Sequence, residues 1–231
     1  LVNLCADFNV GAEKRGKMMG KVLFVSGIDT DIGKSIATGY YAKHLMQQGY
    51  SVITQKMVQT GCQDISTDII VHRKIQGIVL TEEDRQGITC PYLFDYPCSP
   101  HMAARLQQTC IDEKTIEKST TLLAQNYDYV LLEGAGGLMV PYSEEKTMLD
   151  YLAAHGYPLI LVTSGRLGSI NHTLLSLEAC AQRKISVEAL IYNLYPPADE
   201  LITQDTQQYL RGYLAKRFPE TKFMLMEKID F

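Results

Sequence analysis

A glycine-rich segment close to the start of the chain has the residue types and the spacing of a phosphate-binding loop. Gly27 and Gly33 enclose the segment, and Lys34 and Ser35 follow it at the start of a helical pattern. The backbone N–H groups of such a loop and the positive end of the following helix dipole bind the phosphates of a nucleotide. Lys34 is expected to reach the β- and γ-phosphates, and the Ser35 hydroxyl to ligate Mg²⁺. Five residues separate the two glycines, one more than in the common form of this loop, so we predict a variant of it.

Two further segments place reactive residue types where strands are expected to end. Lys56 ends an apolar run and precedes Thr60, and Glu133 ends another run just before Gly134–Gly137. Because ligands of parallel sheets bind beyond the carboxyl ends of the strands, these residues are predicted to share a rim with the phosphate loop. Glu133 offers a hard oxygen to Mg²⁺, and glycines allow the backbone to approach a ligand closely. Asp68, early in a helical pattern, is either a further Mg²⁺ ligand or a carboxylate that interacts with the helix dipole.

Apolar runs and helical patterns alternate along the chain, which indicates an α/β fold. Strands this continuously apolar are typical of a parallel sheet that helices cover on both faces. The strands are predicted at Val22–Ser26, Ser51–Lys56, Tyr129–Glu133, Leu159–Thr163, Val187–Tyr192 and Phe223–Leu225. The helices are predicted near Ser35–Gln48, Thr67–Gln76, Ile116–Gln125, Ile170–Arg183 and Asp199–Arg217, and Gly77–Ser99 is the least regular part. We predict one mostly parallel, P-loop NTPase-like domain over residues 21–231.

Composition limits the context more than the chemistry. The 231 residues suit a single domain, and a net charge of −4 provides no electrostatic reason to bind nucleic acid or an anionic membrane. Six cysteines without a C-x-x-C pair are typical of reduced thiols, so a cytoplasmic protein is expected. No apolar run reaches the length of a membrane span. Residues 1–20 are expected to be a leader or a disordered N-terminal segment, with a native start at Met18 or Met19.

Several segments taken together resemble the dethiobiotin synthetases, ATP-dependent enzymes of biotin synthesis. The resemblance spans residues 21–197, and its combination of segments is more specific than the phosphate loop alone. It rests on Gly27–Ser35, Lys56–Gly61, Thr67-Asp68, Pro91–Phe94, Ser99–His101, Glu133–Gly137, Leu167–His172 and Tyr192-Asn193. Met57 departs from the family, which usually has proline there, and we expect this to loosen the placement of Lys56. The chain printed here also ends soon after the last predicted strand, where the family usually continues towards the nucleotide base.

The resemblance implies a reaction in which an amine of 7,8-diaminopelargonic acid captures CO₂ as a carbamate. The carbamate oxygen then attacks the γ-phosphorus of ATP, and the second amine displaces phosphate to close the ring of dethiobiotin. Lys34, Lys56 and Thr30 are the implied catalytic residues, because the transferring phosphoryl group needs positive charge and hydrogen bonds. No nucleophilic side chain is required, since both nucleophiles belong to the substrate.

The resemblance also implies binding residues, Mg²⁺ as the cofactor and ATP as the co-substrate. The residues expected to bind ATP are Asp31, Ile32, Gly33, Lys34, Ser35, Ile36, Asp68, Glu133, Gly134, Ala135, Gly136 and Asn193. Mg²⁺ is expected on Ser35, Asp68 and Glu133, and the substrate on Thr60, Gly168, Ser169, Ile170 and Asn171.

The segment Gly168–Asn171 is expected to begin a helix whose N–H groups suit the substrate carboxylate. In the family this helix start reaches the active site of the other subunit, which implies a homodimer with active sites at the subunit interface. Asn171 is equally well explained as an ordinary capping residue. His101 and His172 are expected to orient loops, and the sequence assigns no role to His44, His72 or His155.

Other classes of function stay open. A nucleotide-switch protein of the partitioning type has the same sheet, but usually carries a lysine where this chain has Ile28 and Asp29. A catalytically silent homologue that binds ATP for regulation is a second alternative, motivated by Met57. A related amide-forming ligase with another substrate is a third.

Overall fold

A computed structural model describes residues 19–231 of the chain. Most of the predicted leader lies outside the described residues, and that prediction stays untested. The main sheet contains β1 Lys21–Gly27, β2 Val52–Lys56, β5 Tyr129–Gly137, β6 Leu159–Ser164, β7 Val187–Asn193 and β8 Lys222–Met226. A second sheet pairs β3 Gln59–Thr60 with β4 Leu93–Phe94. The helices are α1 Lys34–Gln47, α2 Thr67–Gln76, α3 Glu82–Arg85, α4 Pro100–Leu106, α5 Glu113–Asn126, α6 Met148–His155, α7 Ser169–Gln182 and α8 Glu200–Arg217.

The six strands of the main sheet are parallel and lie in the order β2-β5-β1-β6-β7-β8. Their carboxyl ends therefore meet along one edge. From β1 the chain passes to β2, which lies on one side of β1. It later passes from β5, on that same side, to β6, on the other side of β1. An open α/β sheet forms its ligand crevice where the strand order reverses in this way. In this fold that point is the loop after β1.

Both faces of the sheet are buried against helices, because successive strand residues point to opposite faces. Leu23 and Val25 pack in one core cluster with Ala37 and Tyr41 of α1. Phe24, between them, packs on the other face in a cluster that includes residues of α6, α7 and α8. The predicted fold class is thus confirmed. No helix in residues 19–231 is long and apolar enough to cross a membrane.

The structure differs from the sequence prediction mainly in short elements. Strands β3 and β4 have two residues each, too few for a periodic pattern to form. Helix α6 was not predicted either, although Thr147 and Asp150 form a capping box that marks its start. Strand β5 continues through its glycines to Gly137, four residues beyond the predicted Glu133. These glycines are therefore part of strand β5, at the carboxyl edge of the sheet, and do not form a loop.

Candidate active site

The phosphate loop is held in a shape that only glycine tolerates at two positions. Gly33 caps α1 with a φ of 94°, and a Cβ there would lie 2.6 Å from the Asn193 amide nitrogen. A Cβ on Gly27 would lie 2.4 Å from the Ile32 side chain. The loop therefore closes tightly over β1. Lys34 begins α1, as the sequence predicted.

Lys34 points back over this loop. It is 8% exposed, and its Nζ donates a hydrogen bond to the carbonyl oxygen of Asp29 over 2.9 Å. Burial and then the nearby Lys56 ammonium lower the pKa of Lys34 from its usual value. Two ammonium groups thus lie in the same electrostatic environment, which favours the binding of a highly charged anion such as a triphosphate.

Glu133 is the centre of the site and is fully buried. Lys56 Nζ and Ser35 Oγ donate to its Oε1 over 2.8 and 3.1 Å. Thr38 Oγ1 and His72 Nε2 lie 2.8 Å from its Oε2. Burial alone would raise the pKa of Glu133, but the Lys56 ammonium and the His72 hydrogen bond hold it well below its usual value. The group is a carboxylate whose two oxygens each have two partners within the chain, so a cation at Oε1 would replace one of them.

Lys56 ends β2 beside this carboxylate and uses all three of its N–H groups. Besides Glu133, its Nζ contacts Asp68 Oδ2 over 2.6 Å and donates to the Gly134 carbonyl over 3.1 Å. Burial opposes the charge, but the two carboxylates outweigh it and raise the pKa of Lys56. The expectation that Met57 loosens Lys56 stays a prediction, although the Lys56 ammonium has three partners here. The Met57 N–H donates to the Glu133 carbonyl over 2.8 Å, a bond that proline lacks, and so extends the β2–β5 pairing.

His72 corrects the sequence analysis, which assigned it no role. It is fully buried on α2, with Nε2 on Glu133 and Nδ1 3.0 Å from Thr54 Oγ1. The one available signal was its position four residues after Asp68, which places both on one face of a helix. Thr38, four residues after Lys34, was missed in the same way.

A cavity of about 720 Å³ opens at these residues. It brings together twelve of the predicted site residues: Thr30, Asp31, Gly33, Lys34, Ser35, Ile36, Lys56, Thr60, Asp68, Glu133, Ala135 and Gly136. Among the other lining residues, Pro97, Cys98 and Val140 lie outside every segment on which the family resemblance rests. Val58, Gln59, Ser99 and Pro100 lie within such segments but were assigned no role. Such a volume suits a nucleotide with a small substrate.

Three predicted ATP-binding residues lie behind this cavity and do not line it. Ile32 is 3% exposed and packs in the core, and Gly134 offers its carbonyl to Lys56. Asn193 is buried, donates to the Ile32 carbonyl over 3.0 Å and accepts from the Tyr195 N–H over 3.0 Å. One amide hydrogen and one carbonyl lone pair of Asn193 remain for another partner. In this structure the Asn193 amide holds the phosphate loop in place through the Ile32 carbonyl.

The start of α7 lies at a separate cavity of about 500 Å³. Gly168 and Ile170 line that cavity, Asn171 is exposed, and Ser169 is buried. Within the described chain, the predicted substrate residues of this segment thus do not line the cavity that Thr60 and the phosphate loop line. Gly168 caps the helix with a φ of 89°. An exposed ion pair between Arg166 and Asp29 connects the two loops.

The oxygen atoms at the main cavity suit a magnesium ion. Ser35 Oγ lies within 3.1 Å of Glu133, and Asp68 reaches the same Lys56 ammonium that Glu133 does. These are the hard ligands that Mg²⁺ prefers. In the described part of the chain, no group of three His, Cys, Asp or Glu residues is arranged to hold a metal by itself. The fit is therefore to a cation that takes its other ligands from phosphates and water.

Sequence comparison finds closely similar proteins. A family model described as an AAA domain matches residues 21–218. The "ATP-dependent dethiobiotin synthetase BioD 2" of Pasteurella multocida is 67% identical over 92% of this chain and 100% of its own length. A protein of the same name from Haemophilus ducreyi is 64% identical over 91% of this chain and 100% of its own length. The "ATP-dependent dethiobiotin synthetase BioD" of Chlorobaculum tepidum is 52% identical, over 88% and 85%.

Structural comparison finds the same fold in more distant proteins. A structure titled pNOB8 ParA bound to nonspecific DNA matches with a TM-score of 0.56 and 12% identity, over 92% of this chain and 86% of that one. A putative plasmid partition protein from Borrelia burgdorferi bound to AMPPNP matches with a TM-score of 0.52 and 13% identity, over 92% and 88%. At this identity the likeness concerns the fold alone.

Proposed function

The chain belongs to the family of ATP-dependent dethiobiotin synthetases, and we propose that the cavity between the phosphate loop, Lys56 and Glu133 is its active site. The protein is a ligase that forms dethiobiotin with ATP in biotin biosynthesis. The observation that supports this site most directly is the convergence of Lys34, Lys56 and three oxygen-bearing side chains at the carboxyl edge of the sheet. A nucleotide switch, a silent homologue and a different ligase are no longer favoured, given relatives this similar.

The proposed substrates are 7,8-diaminopelargonic acid, CO₂ or bicarbonate, and ATP. A carbamate formed on one amine attacks the γ-phosphorus, ADP leaves, and the second amine then displaces phosphate as the ring closes. Negative charge builds up around the γ-phosphoryl group in the first step. Lys34 and Lys56 neutralise that charge from fixed positions, which is the main task of a phosphoryl-transfer site. Thr30 and Asp31 contact the phosphates, and Thr60 the substrate. We place the reaction in the cytoplasm, where ATP is made.

Lys56 must exchange one partner when the reactants bind, because its three N–H groups are all in use. Asp68 is the partner suited to leave, since its side chain is 23% exposed and lines the cavity, whereas Glu133 is fully buried. Ser35, Asp68 and Glu133 would hold Mg²⁺. When bound, the ion supplies positive charge to the phosphates. With Asp68 released from Lys56, one Lys56 N–H would be free for the carbamate or the γ-phosphate.

A homodimer completes the proposed site. Gly168–Asn171 lies outside the main cavity of its own chain, so we propose that it binds the substrate carboxylate in the site of a second copy. A mixing experiment tests this. Lys56→Gln and Gly168→Val are each expected to be inactive as homodimers, but co-expression is expected to restore about one quarter of the native sites, because mixed dimers keep one intact site. No recovery would contradict sites shared between subunits.

The first assay measures phosphate released from ATP and Mg²⁺ with bicarbonate, with and without the diamine, and follows dethiobiotin by mass. Phosphate that depends on the diamine and equals the dethiobiotin formed is the expected result. ATP hydrolysis that does not depend on the diamine would contradict the proposed reaction.

Glu133→Gln is expected to raise the Mg²⁺ concentration for half-maximal ATP binding about 10- to 100-fold. An unchanged titration would remove Glu133 from the metal site.

A further inference from the structure

His72 does not line the main cavity, yet it holds one oxygen of the central carboxylate, Glu133. It lies on the same face of α2 as Asp68, four residues earlier, which reaches Lys56. Helix α2 therefore places Asp68 at the cavity and His72 directly behind it. Nothing in the proposed reaction uses the imidazole, although it is fully buried among polar groups.

The two oxygens of Glu133 face different surroundings. Oε1 faces the cavity, with Lys56 and Ser35 as its partners. Oε2 faces the interior, with Thr38 and His72 as its partners. A carboxylate can rotate about its last bond, so Oε1 is aimed at the cavity only while Oε2 is held. The contacts of Oε2 in the interior thus set the position of Oε1 at the cavity.

The partners of His72 indicate which ring nitrogen donates to Glu133. Nε2 lies 2.8 Å from a carboxylate oxygen, which can only accept, so Nε2 carries hydrogen. In the neutral tautomer, Nδ1 accepts from the Thr54 hydroxyl, 3.0 Å away. That hydroxyl is free to donate there, because its oxygen already accepts from Arg73 Nη1 over 2.7 Å.

Arg73 is itself fixed from behind. It is 2% exposed and forms a bidentate pair with Asp84, at 2.8 Å from Nε and 2.7 Å from Nη2. Thr89 donates to Asp84 over 2.7 Å. A chain of buried hydrogen bonds therefore runs from Asp84 through Arg73, Thr54 and His72 to the carboxylate at the cavity. Bidentate charged pairs are the most geometrically defined of these bonds.

We propose that His72 is a positioning residue of this enzyme. Through its bond to Oε2 it keeps Oε1 of Glu133 directed at Lys56, Ser35 and the Mg²⁺ that accompanies ATP. The assignment rests on the proposed active site, and it adds a residue that contacts none of the reactants. Removing the hydrogen-bond partner of a metal-binding side chain typically changes metal affinity or activity 10- to 100-fold.

The test compares His72→Leu, which fills the space without a hydrogen bond, with His72→Gln, whose amide N–H reaches the position of Nε2. His72→Leu is expected to lower kcat about 10- to 100-fold and to leave the KM for the diamine within about 3-fold. By calorimetry, the Mg²⁺ concentration for half-maximal ATP binding rises by a similar factor. His72→Gln is expected to recover most of both losses.

Thr120→Val is the matched control, because Thr120 is equally buried and donates to Gln55 over 2.8 Å, away from the cavity. It should lower the melting temperature without changing kcat. Three outcomes overturn the proposal: native-like kcat and Mg²⁺ titration in His72→Leu, no recovery in His72→Gln, or an equal loss of kcat in Thr120→Val. If His72→Leu does not fold, Thr54→Val must lose kcat while Thr54→Ser retains it, and equal activities overturn the proposal.

The two proposals fail separately. If the native protein makes no dethiobiotin, the proposed reaction is wrong. The calorimetric comparison of Mg²⁺ and ATP binding still decides the role of His72.

Discussion

The β2–β5 side and the β6–α7 side of the site lie at the same edge of one sheet, but differ in how they are built. At Lys56 and Glu133, both charged groups are buried and have partners within the chain. At the start of α7, Leu167 is 83% exposed and Asn171 faces solvent. The first side is built within one copy of the chain, whereas the second is open to solvent in it. The charges of the first side are thus preorganised, and under the proposed function a second copy would complete the other side.

The same contrast is expected in the energetics. Removing one partner of a buried ion pair leaves a desolvated charge behind, while an exposed pair is screened by water and salt. Four substitutions measure the two sides against each other.

The largest effect is expected for Arg73→Met, which leaves Asp84 buried without its cation. We expect the free energy of unfolding to fall by about 3–5 kcal/mol. Urea denaturation followed by circular dichroism measures it. A loss below about 1 kcal/mol would mean that the buried pair contributes no more to the free energy of unfolding than an exposed pair does.

Lys56→Gln is expected to follow, with kcat reduced about 10²- to 10³-fold, equivalent to about 3–4 kcal/mol of transition-state stabilisation. The physical reason is the loss of positive charge at the transferring phosphoryl group. The assay is dethiobiotin formation, with Lys43→Gln on the exposed side of α1 as the control. Near-native turnover would exclude Lys56 from catalysis.

A smaller effect is expected for Asn171→Ala on the open side. Losing one amide hydrogen bond to the substrate should raise the KM for the diamine about 10-fold and leave kcat unchanged. Ser176→Ala, on the next turn of α7, serves as the control. If KM stays the same, Asn171 is a surface residue of the helix start and no more.

The smallest effect is expected for Arg166→Ala, which breaks the exposed pair with Asp29 between the two loops. Exposed pairs contribute less than about 1 kcal/mol, so the unfolding midpoint should hardly move. Kinetics at low and high salt check whether the pair matters for turnover. A loss as large as that of Arg73→Met would remove the difference between the two sides.

Much of the fold was predictable because its signals are local. The phosphate loop, the apolar strands and α1 depend on neighbouring residues, and the predicted bounds of α1 and α2 agree with the structure to within one residue. Lys56 and Glu133 were identifiable because strand ends of parallel sheets form ligand sites. The two-residue strands β3 and β4 were not predictable, since they depend on each other across the fold.

The sequence by itself determined the residue types available: a glycine-rich loop of the phosphate-binding kind, two lysines, oxygen-bearing side chains that suit a cation, and the family to which the chain belongs. Only the tertiary structure decided which donors share the oxygens of Glu133. His72 lies 61 residues from it in sequence and Thr38 lies 95, so no local pattern connects them. The physical reason is that a buried carboxylate must find its hydrogen bonds wherever packing brings donors, and packing is a property of the whole chain.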